Sequence, residues 1–143
     1  MKVRVFKNLN KGCLSIIALE GKYKSKVIAY AHNAYVHQAS FVVSQASRAR
    51  VLSSGVKNVH AFVQGELQCL DLIETRYDVG PLPLGEPDHP HRRHVRYNPF
   101  IRGEFFDAVT DQAVANAACA FITNKGVFLE EDETQLEIET LAA

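Results

Sequence analysis

The sequence has no net charge, no long apolar run and no recognisable catalytic signature. Its 16 Lys and Arg are balanced by 16 Asp and Glu. No stretch approaches the roughly 18–20 apolar residues that a membrane-crossing helix needs, so no membrane partner is expected. The opening MKVRVFKNLNKGC lacks the apolar core and small-residue cleavage site of a secretory leader, which makes a cytoplasmic protein the expectation. GxSxG, a phosphate-binding P-loop, HExxH and the paired HxT or HxS repeats of a cyclic phosphodiesterase are all missing. Metal-free acid–base chemistry leaves almost no linear trace, so these absences exclude motif-bearing enzymes rather than catalysis in general. Cysteine is scarce as well. Cys13, Cys69 and Cys119 are odd in number, widely separated and set among apolar neighbours. No CxxC or Cys–His spacing suggests zinc, and three reduced, mostly buried thiols are expected.

What is present fits one domain. A chain of 143 residues with 47% hydrophobic residues can build one core. Its neutrality hides a division. Residues 1–128 hold all 16 bases and only 10 acids, a balance of +6, whereas residues 129–143 hold six acids and no base. The expected organisation is a single β-rich domain over residues 1–129 and an acidic tail over residues 130–143. A basic body can hold an anion while an acidic tail limits nonspecific nucleic-acid binding, so stable DNA binding is not expected. The plainer account of the tail is a solubilising terminus.

Short strands dominate the pattern. Residues 2–6 alternate polar and apolar with period two, as a strand buried on one face does. CLSIIAL and KVIAYA follow across turn-like segments, and AYV and SFVVS suggest two further short strands. In SQASRARVLSSGVKN, Ser44 or Ser47 could cap a short helical turn through Val51 and Leu52 that stops near Gly55, although a tight loop fits nearly as well. The next segment returns to β alternation, with Gly65 as a bulge or bend. Residues 78–90 hold four of the five prolines and read as an ordered surface excursion anchored by Leu82 and Leu84. HVRYN, EFFDAV, NAACAFIT and VFLEE complete the strands, with NKG as a hairpin turn; DQAVANAACA could instead be helical. The fold class is therefore β-dominated α+β: a twisted antiparallel sheet or half-open barrel with one or two short helices. Such a sheet must protect its edges, which favours a homo-oligomer.

Two constellations carry chemistry. In SRARVLSSGVKNVHAFVQG, Arg48 and Arg50 fall two apart, and Lys57, Asn58 and His60 follow across a Ser-Ser-Gly turn. Guanidinium forks, an ammonium and an amide are phosphate- and edge-binding groups, and an imidazole can donate or exchange a proton near neutral pH. The plain alternative is a solvated face with His60 stacked beside a strand. The second constellation lies in HPHRRHVRYNPF and runs to Arg102. An aromatic, an amide and flanking arginines (Tyr97, Phe100, Asn98, Arg96, Arg102) supply the stacking, edge-reading and phosphate contacts of a nucleotide pocket. Here the alternative is that Tyr97 and Phe100 belong to the core while Arg92 and Arg93 are solvated. His89 and His91 are divided by a proline, and no carboxylate or cysteine completes a ligand set, so neither a metal nor a cofactor is expected.

The opening KVRVFKNLNKGCLSIIAL, then SRARVLSSGVKNVHAFVQG and VRYNPFIRGEFF, together resemble a family of small bacteriophage-encoded proteins, over roughly residues 1–106. Lys57-Asn58-Val59-His60-Ala61 and Tyr97-Asn98-Pro99-Phe100 are the most distinctive parts. This group resembles the phage Thoeris anti-defence sponges, whose members bind cyclic ADP-ribose isomers without cutting them. Some also bind cyclic oligonucleotide signals of a second defence system, and they form dimers or larger assemblies with pockets near subunit boundaries. The resemblance implies Arg48, Arg50, Lys57 and His60 on the phosphate side, and Tyr97, Asn98, Phe100 and Arg102 on the base and ribose side. Two departures stand out: Ser47 precedes Arg48 where glycine is expected, and the proline-rich loop is longer. The expected function is a non-enzymatic protein that sequesters a small cyclic nucleotide. The alternatives are a metal-free ribonuclease or cyclic-nucleotide hydrolase using His60, and an inhibitor that binds a host defence protein.

Overall fold

The computed structural model describes residues 1–86 and 92–130. Its eight strands are β1 (Lys2–Asn8), β2 (Cys13–Ala18), β3 (Val27–Val43), β4 (Ala61–Thr75), β5 (Arg92–Arg96), β6 (Phe106–Asp107), β7 (Asn116–Thr123) and β8 (Gly126–Glu130), with one helix, α1 (Gln45–Ser54), between β3 and β4. All eight join one antiparallel sheet in the order β2-β1-β4-β3-β7-β8-β5-β6. β2 also pairs with the first half of β3, which curls the first four strands. The second half of the same β3 edge passes to β7, so the sheet continues outward instead of closing into a barrel.

β3 is one strand of 17 residues where the sequence suggests three short ones. Register shifts break its pairing with β4, among them one between His37 and Ser40, where Gln38 takes φ 50°. These irregularities interrupt the period-two pattern and disguise the strand's continuity. Gly65 of β4 faces that bulge. A Cβ there would lie 2.5 Å from the His37 carbonyl oxygen, so only glycine fits the close approach. β4 runs on through Gly65 as one strand, as the sequence suggests, and β7 shows that the alanine-rich stretch before Thr123 is extended, not helical. EFFDAV contributes only the two residues of β6.

The core gathers alternating residues of the curled sheet, including Val3, Val5, Leu14, Ile16, Ile28, Val36, Val63 and Leu70, and reaches Val95, Ile122 and Leu129 of the later strands and Phe105 just before β6. Fully burying each such side chain contributes about 1.5–3 kcal/mol. Leu82 packs against this core, whereas Leu84 stays 66% exposed with its backbone bridged to Leu70. Cys13 is buried, and Cys69 and Cys119 are half-buried thiols.

α1 begins and ends on the expected signals. Ser44 Oγ accepts the Ser47 amide at the N-terminus, and Gly55 takes the left-handed conformation at the C-terminus with its amide on the Val51 carbonyl. Only Val51 is buried, so the helix has little apolar face of its own. Polar side chains fasten it instead. Gln45 Nε2 donates to the Gly103 carbonyl at 2.8 Å, and Arg48 Nε and Nη2 both donate to the Pro99 carbonyl at 3.1 and 2.8 Å. The helix is thereby tied to the turn that follows β5.

Candidate functional site

The two constellations meet. The loop after α1 brings His60 beneath the turn formed by residues 97–103, where His60 is 7% exposed. Its Nδ1 lies 2.7 Å from the Asn58 carbonyl and its Nε2 lies 2.6 Å from Tyr97 Oη. A carbonyl can only accept, so Nδ1 carries the hydrogen. The neutral imidazole then offers Nε2 as acceptor, and the Tyr97 hydroxyl donates to it. The Ser44 amide donates to the His60 carbonyl at 2.8 Å, which joins this loop to the start of α1. Burial raises the Tyr97 phenol above its usual range, and the neighbouring Arg48 guanidinium opposes that rise. Arg48, His60 and Tyr97 form one closed network that binds helix, loop and turn together.

The turn itself is self-supporting. Asn98 Oδ1 accepts the Phe100 amide at 3.0 Å, and the Asn98 carbonyl accepts the amides of Ile101 and Arg102 at 3.1 and 3.2 Å. This arrangement leaves Phe100 71% and Ile101 66% exposed. Arg102 points away from the turn: its Nη2 lies 2.6 Å from Asp111 Oδ1, and its guanidinium sits 3.9 Å over the Phe106 ring. The remaining candidates are dispersed. Arg50 is exposed on α1 with Nη2 on Ser47 Oγ at 2.9 Å, and Lys57 and Asn58 are exposed in the following loop.

Beside the Tyr97 ring runs a groove of about 420 Å³. His94, Arg96, Tyr97, Asn98, Ile101 and Lys125 line it, together with the buried rings Phe105 and Phe106. Strand pairing explains the gathering. β5 pairs with β8 on one edge and with β6 on the other, so the β7–β8 hairpin turn carrying Lys125 lies alongside the end of β5. His94 stacks on Phe128 with ring centroids 4.9 Å apart. Burial, and then the charge of Arg96, hold its imidazole below the usual range. Of the sequence candidates, Arg96, Tyr97 and Asn98 line this groove, while Arg48 and His60 stand behind it through Tyr97. Arg50, Lys57, Asn58, Phe100 and Arg102 do not line it. His94 and Lys125 were missed. The two-residue spacing of His94 and Arg96 on an alternating strand carried a signal for the first; nothing local pointed to Lys125.

The basic run is divided by the fold. Arg93 is not solvated: its Nε forms an ion pair with Asp107 Oδ2 at 2.7 Å, with side chains 14% and 4% exposed. Asp107 Oδ1 accepts the amides of Val109 and Thr110, so one carboxylate anchors both the strand and the next turn. The β5–β8 ladder sets Arg92 opposite Glu130, the first of the clustered acids. His89 and His91 lie outside the described residues, as do residues 131–143. Among the described residues, no group of three or more His, Cys, Asp or Glu could hold a metal ion. No helix among them is long and apolar enough to cross a membrane.

These features define an antiparallel single-sheet protein with a groove lined by cations and rings at the outer end of the sheet. The chain belongs to the family of the Mycobacterium phage L5 gene 82 protein, whose pattern matches residues 1–130. It is 28% identical to the gene 82 protein of Mycobacterium phage L5 over 136 residues, covering 89% of this chain and 94% of that protein. It is thus a member of a family of small phage-encoded proteins. No solved structure matches the chain.

Proposed function

We propose that this phage protein binds and sequesters a small cyclic nucleotide in the infected cell's cytoplasm without cleaving it. The observation that carries the proposal is the groove in which Arg96, Lys125, Asn98 and His94 meet an aromatic lining. Its volume of about 420 Å³ falls within the range of small-ligand pockets. Two cations match phosphates, an amide matches a base or ribose edge, and the rings match a flat base. The resemblance of the phage family marked by the Tyr97–Phe100 and Lys57–Ala61 motifs to the Thoeris anti-defence sponges supports cyclic ADP-ribose isomers or cyclic oligonucleotides as ligands. It also supports a homo-oligomer as the working state.

The hydrolytic alternative gives His60 the role of acid and base. Both of its ring nitrogens are occupied by protein partners, which favours a positioning role over proton transfer to a ligand. Pre-organisation of the turn by Arg48 and His60 suits a binder, since a preformed site avoids the cost of ordering on association.

The test is a ligand screen by calorimetry, followed by heating and weighing of the released molecule. Tight binding with unchanged mass is expected, and Arg96→Ala should weaken it about tenfold or more, as losing a charge-assisted hydrogen bond would. A changed mass would make the protein an enzyme. No binding of any cyclic nucleotide, together with a stable complex with a host protein, would replace the proposal with a protein inhibitor.

A further inference from the structure

A second charged surface lies on the curled half of the sheet and shares none of its cations with the groove. Three segments build it: the β1–β2 turn with Lys11, the β2–β3 turn with Lys22, Tyr23, Lys24 and Lys26, and the end of β4 with Arg76 and Tyr77. Backbone bonds fix both turns. Asn8 Oδ1 accepts the amides of Asn10 and Lys11, and the Lys24 and Lys26 amides donate to the carbonyls of Gly21 and Tyr23. All four lysines are exposed.

The cations are threaded through tyrosines. Lys11 Nζ sits 4.4 Å from the centroid of the Tyr30 ring, and Arg76 Nη1 donates to Tyr30 Oη at 3.0 Å. Tyr23 and Tyr77 stack at 4.7 Å with an interplanar angle of 18°. Lys22 lies 5.5 Å over the first ring and Lys26 lies 5.6 Å over the second. Next to this stack, residues 75–80 form an open groove of about 460 Å³ with Arg76 and Tyr77 in its wall. Three acids flank the strip, of which Asp78 lines the groove and Glu20 accepts the Lys2 amide; the third is Glu74.

This arrangement constrains the ligand. Each stacked ring has one face against the other ring and an exposed lysine ammonium within 5.6 Å of its centroid, so a ligand reaching the stack meets cations together with the rings. Lysines are point charges without the geometry of a guanidinium fork, so the strip reads charge and not sequence. The turns offer no open row of strand amides for a peptide to extend. Affinity must come from counterion release, which is greatest for a polymer charged at every monomer. A flexible strand can follow two turns and a strand end, whereas a stiff duplex cannot.

We propose that the Lys11–Lys22–Lys24–Lys26 strip is a weak, sequence-independent, salt-sensitive contact surface for the phosphodiester backbone of single-stranded nucleic acid, short of the stable binding that the acidic C-terminal run disfavours. It is separate from the groove that holds Arg96 and Lys125. The probe is a fluorescein-labelled oligothymidylate, titrated with the full chain at several salt concentrations and followed by anisotropy. Four lysine contacts to a single strand give a slope of log K against log salt of about −3. The double variant Lys22→Gln/Lys26→Gln should halve that slope to about −1.5 while leaving the melting temperature unchanged. Absence of binding at low salt would overturn the proposal. So would equal binding of a poly-glutamate peptide of the same length, because the strip would then serve any polyanion. Loss of binding in Lys125→Gln, with none in the lysine pair, would move the oligonucleotide to the groove and also overturn it.

Discussion

The side chains of His60 and Tyr97 meet at 2.6 Å across 37 residues of sequence. This contact joins the loop after α1 to the turn after β5, and it stands directly behind the groove. Tyr97 presents its ring to the groove and spends its hydroxyl on His60, so the two motifs that stand out in the sequence act as one support.

Tyr97→Phe should therefore keep the ring and leave a buried imidazole nitrogen without its donor. An unsatisfied buried group costs about 1–3 kcal/mol. Urea unfolding should report a loss of that size, and an unchanged midpoint would show that the contact adds nothing to stability.

Gly65→Ala should destabilise by about 1–3 kcal/mol, because the added methyl meets backbone and the site is already packed. The new Cβ would lie 2.5 Å from the His37 carbonyl oxygen, which cannot swing aside as a side chain can. Thermal melting of the variant checks this, and a wild-type midpoint would mean that the β3 bulge relaxes freely.

Asp107 holds Arg93 and two turn amides at once. Asp107→Ala should cost about 3 kcal/mol or more, since it leaves a buried guanidinium without its counter-charge. Asp107→Asn keeps an acceptor for the amides of Val109 and Thr110. Comparing the two variants by chemical denaturation separates the turn from the ion pair, and equal stability of both would place the whole effect on the charge.

His94 predicts a pH dependence of known sign. Burial and then Arg96 hold its imidazole below the usual range in the folded protein. The unfolded chain titrates near about 6.5 and so binds more protons as the pH falls. The stabilising effect of the neutral ring is complete above about pH 6.5 and is lost as the pH drops from there toward the folded value. Melting temperatures at about pH 7.5 and about pH 5.5 should fall further apart for wild type than for His94→Gln. Equal differences would show that other groups carry the acid sensitivity.

Local chemistry made much of this fold legible. The alternation in residues 2–6 and the Ser44 and Gly55 caps of α1 depend only on neighbouring residues, and each is found where those neighbours place it. The length of β3 was not legible, because its bulges break the alternation that would have revealed it. Helical propensity misled at the alanine-rich start of β7, where pairing with β3 decides the conformation. For the candidate site, the sequence could mark residue types but not their partners. Arg48 and Arg102 look alike as phosphate ligands, yet one holds the Pro99 carbonyl and the other holds Asp111.

By itself the sequence determined a β-rich chain, the signals for a helical turn between Ser44 and Gly55, and a division between a basic body and an acidic C-terminal run. These follow from short-range periodicity, capping and charge counts, which need no knowledge of neighbours in space. Only the tertiary structure decided which cations remain available. Ladder register brings Lys125 to Arg96 and commits Arg93 to Asp107, and the curl of the first four strands lines up lysines from separate turns. Register is set by the burial of one strand face against another, a long-range balance that no local window of sequence contains.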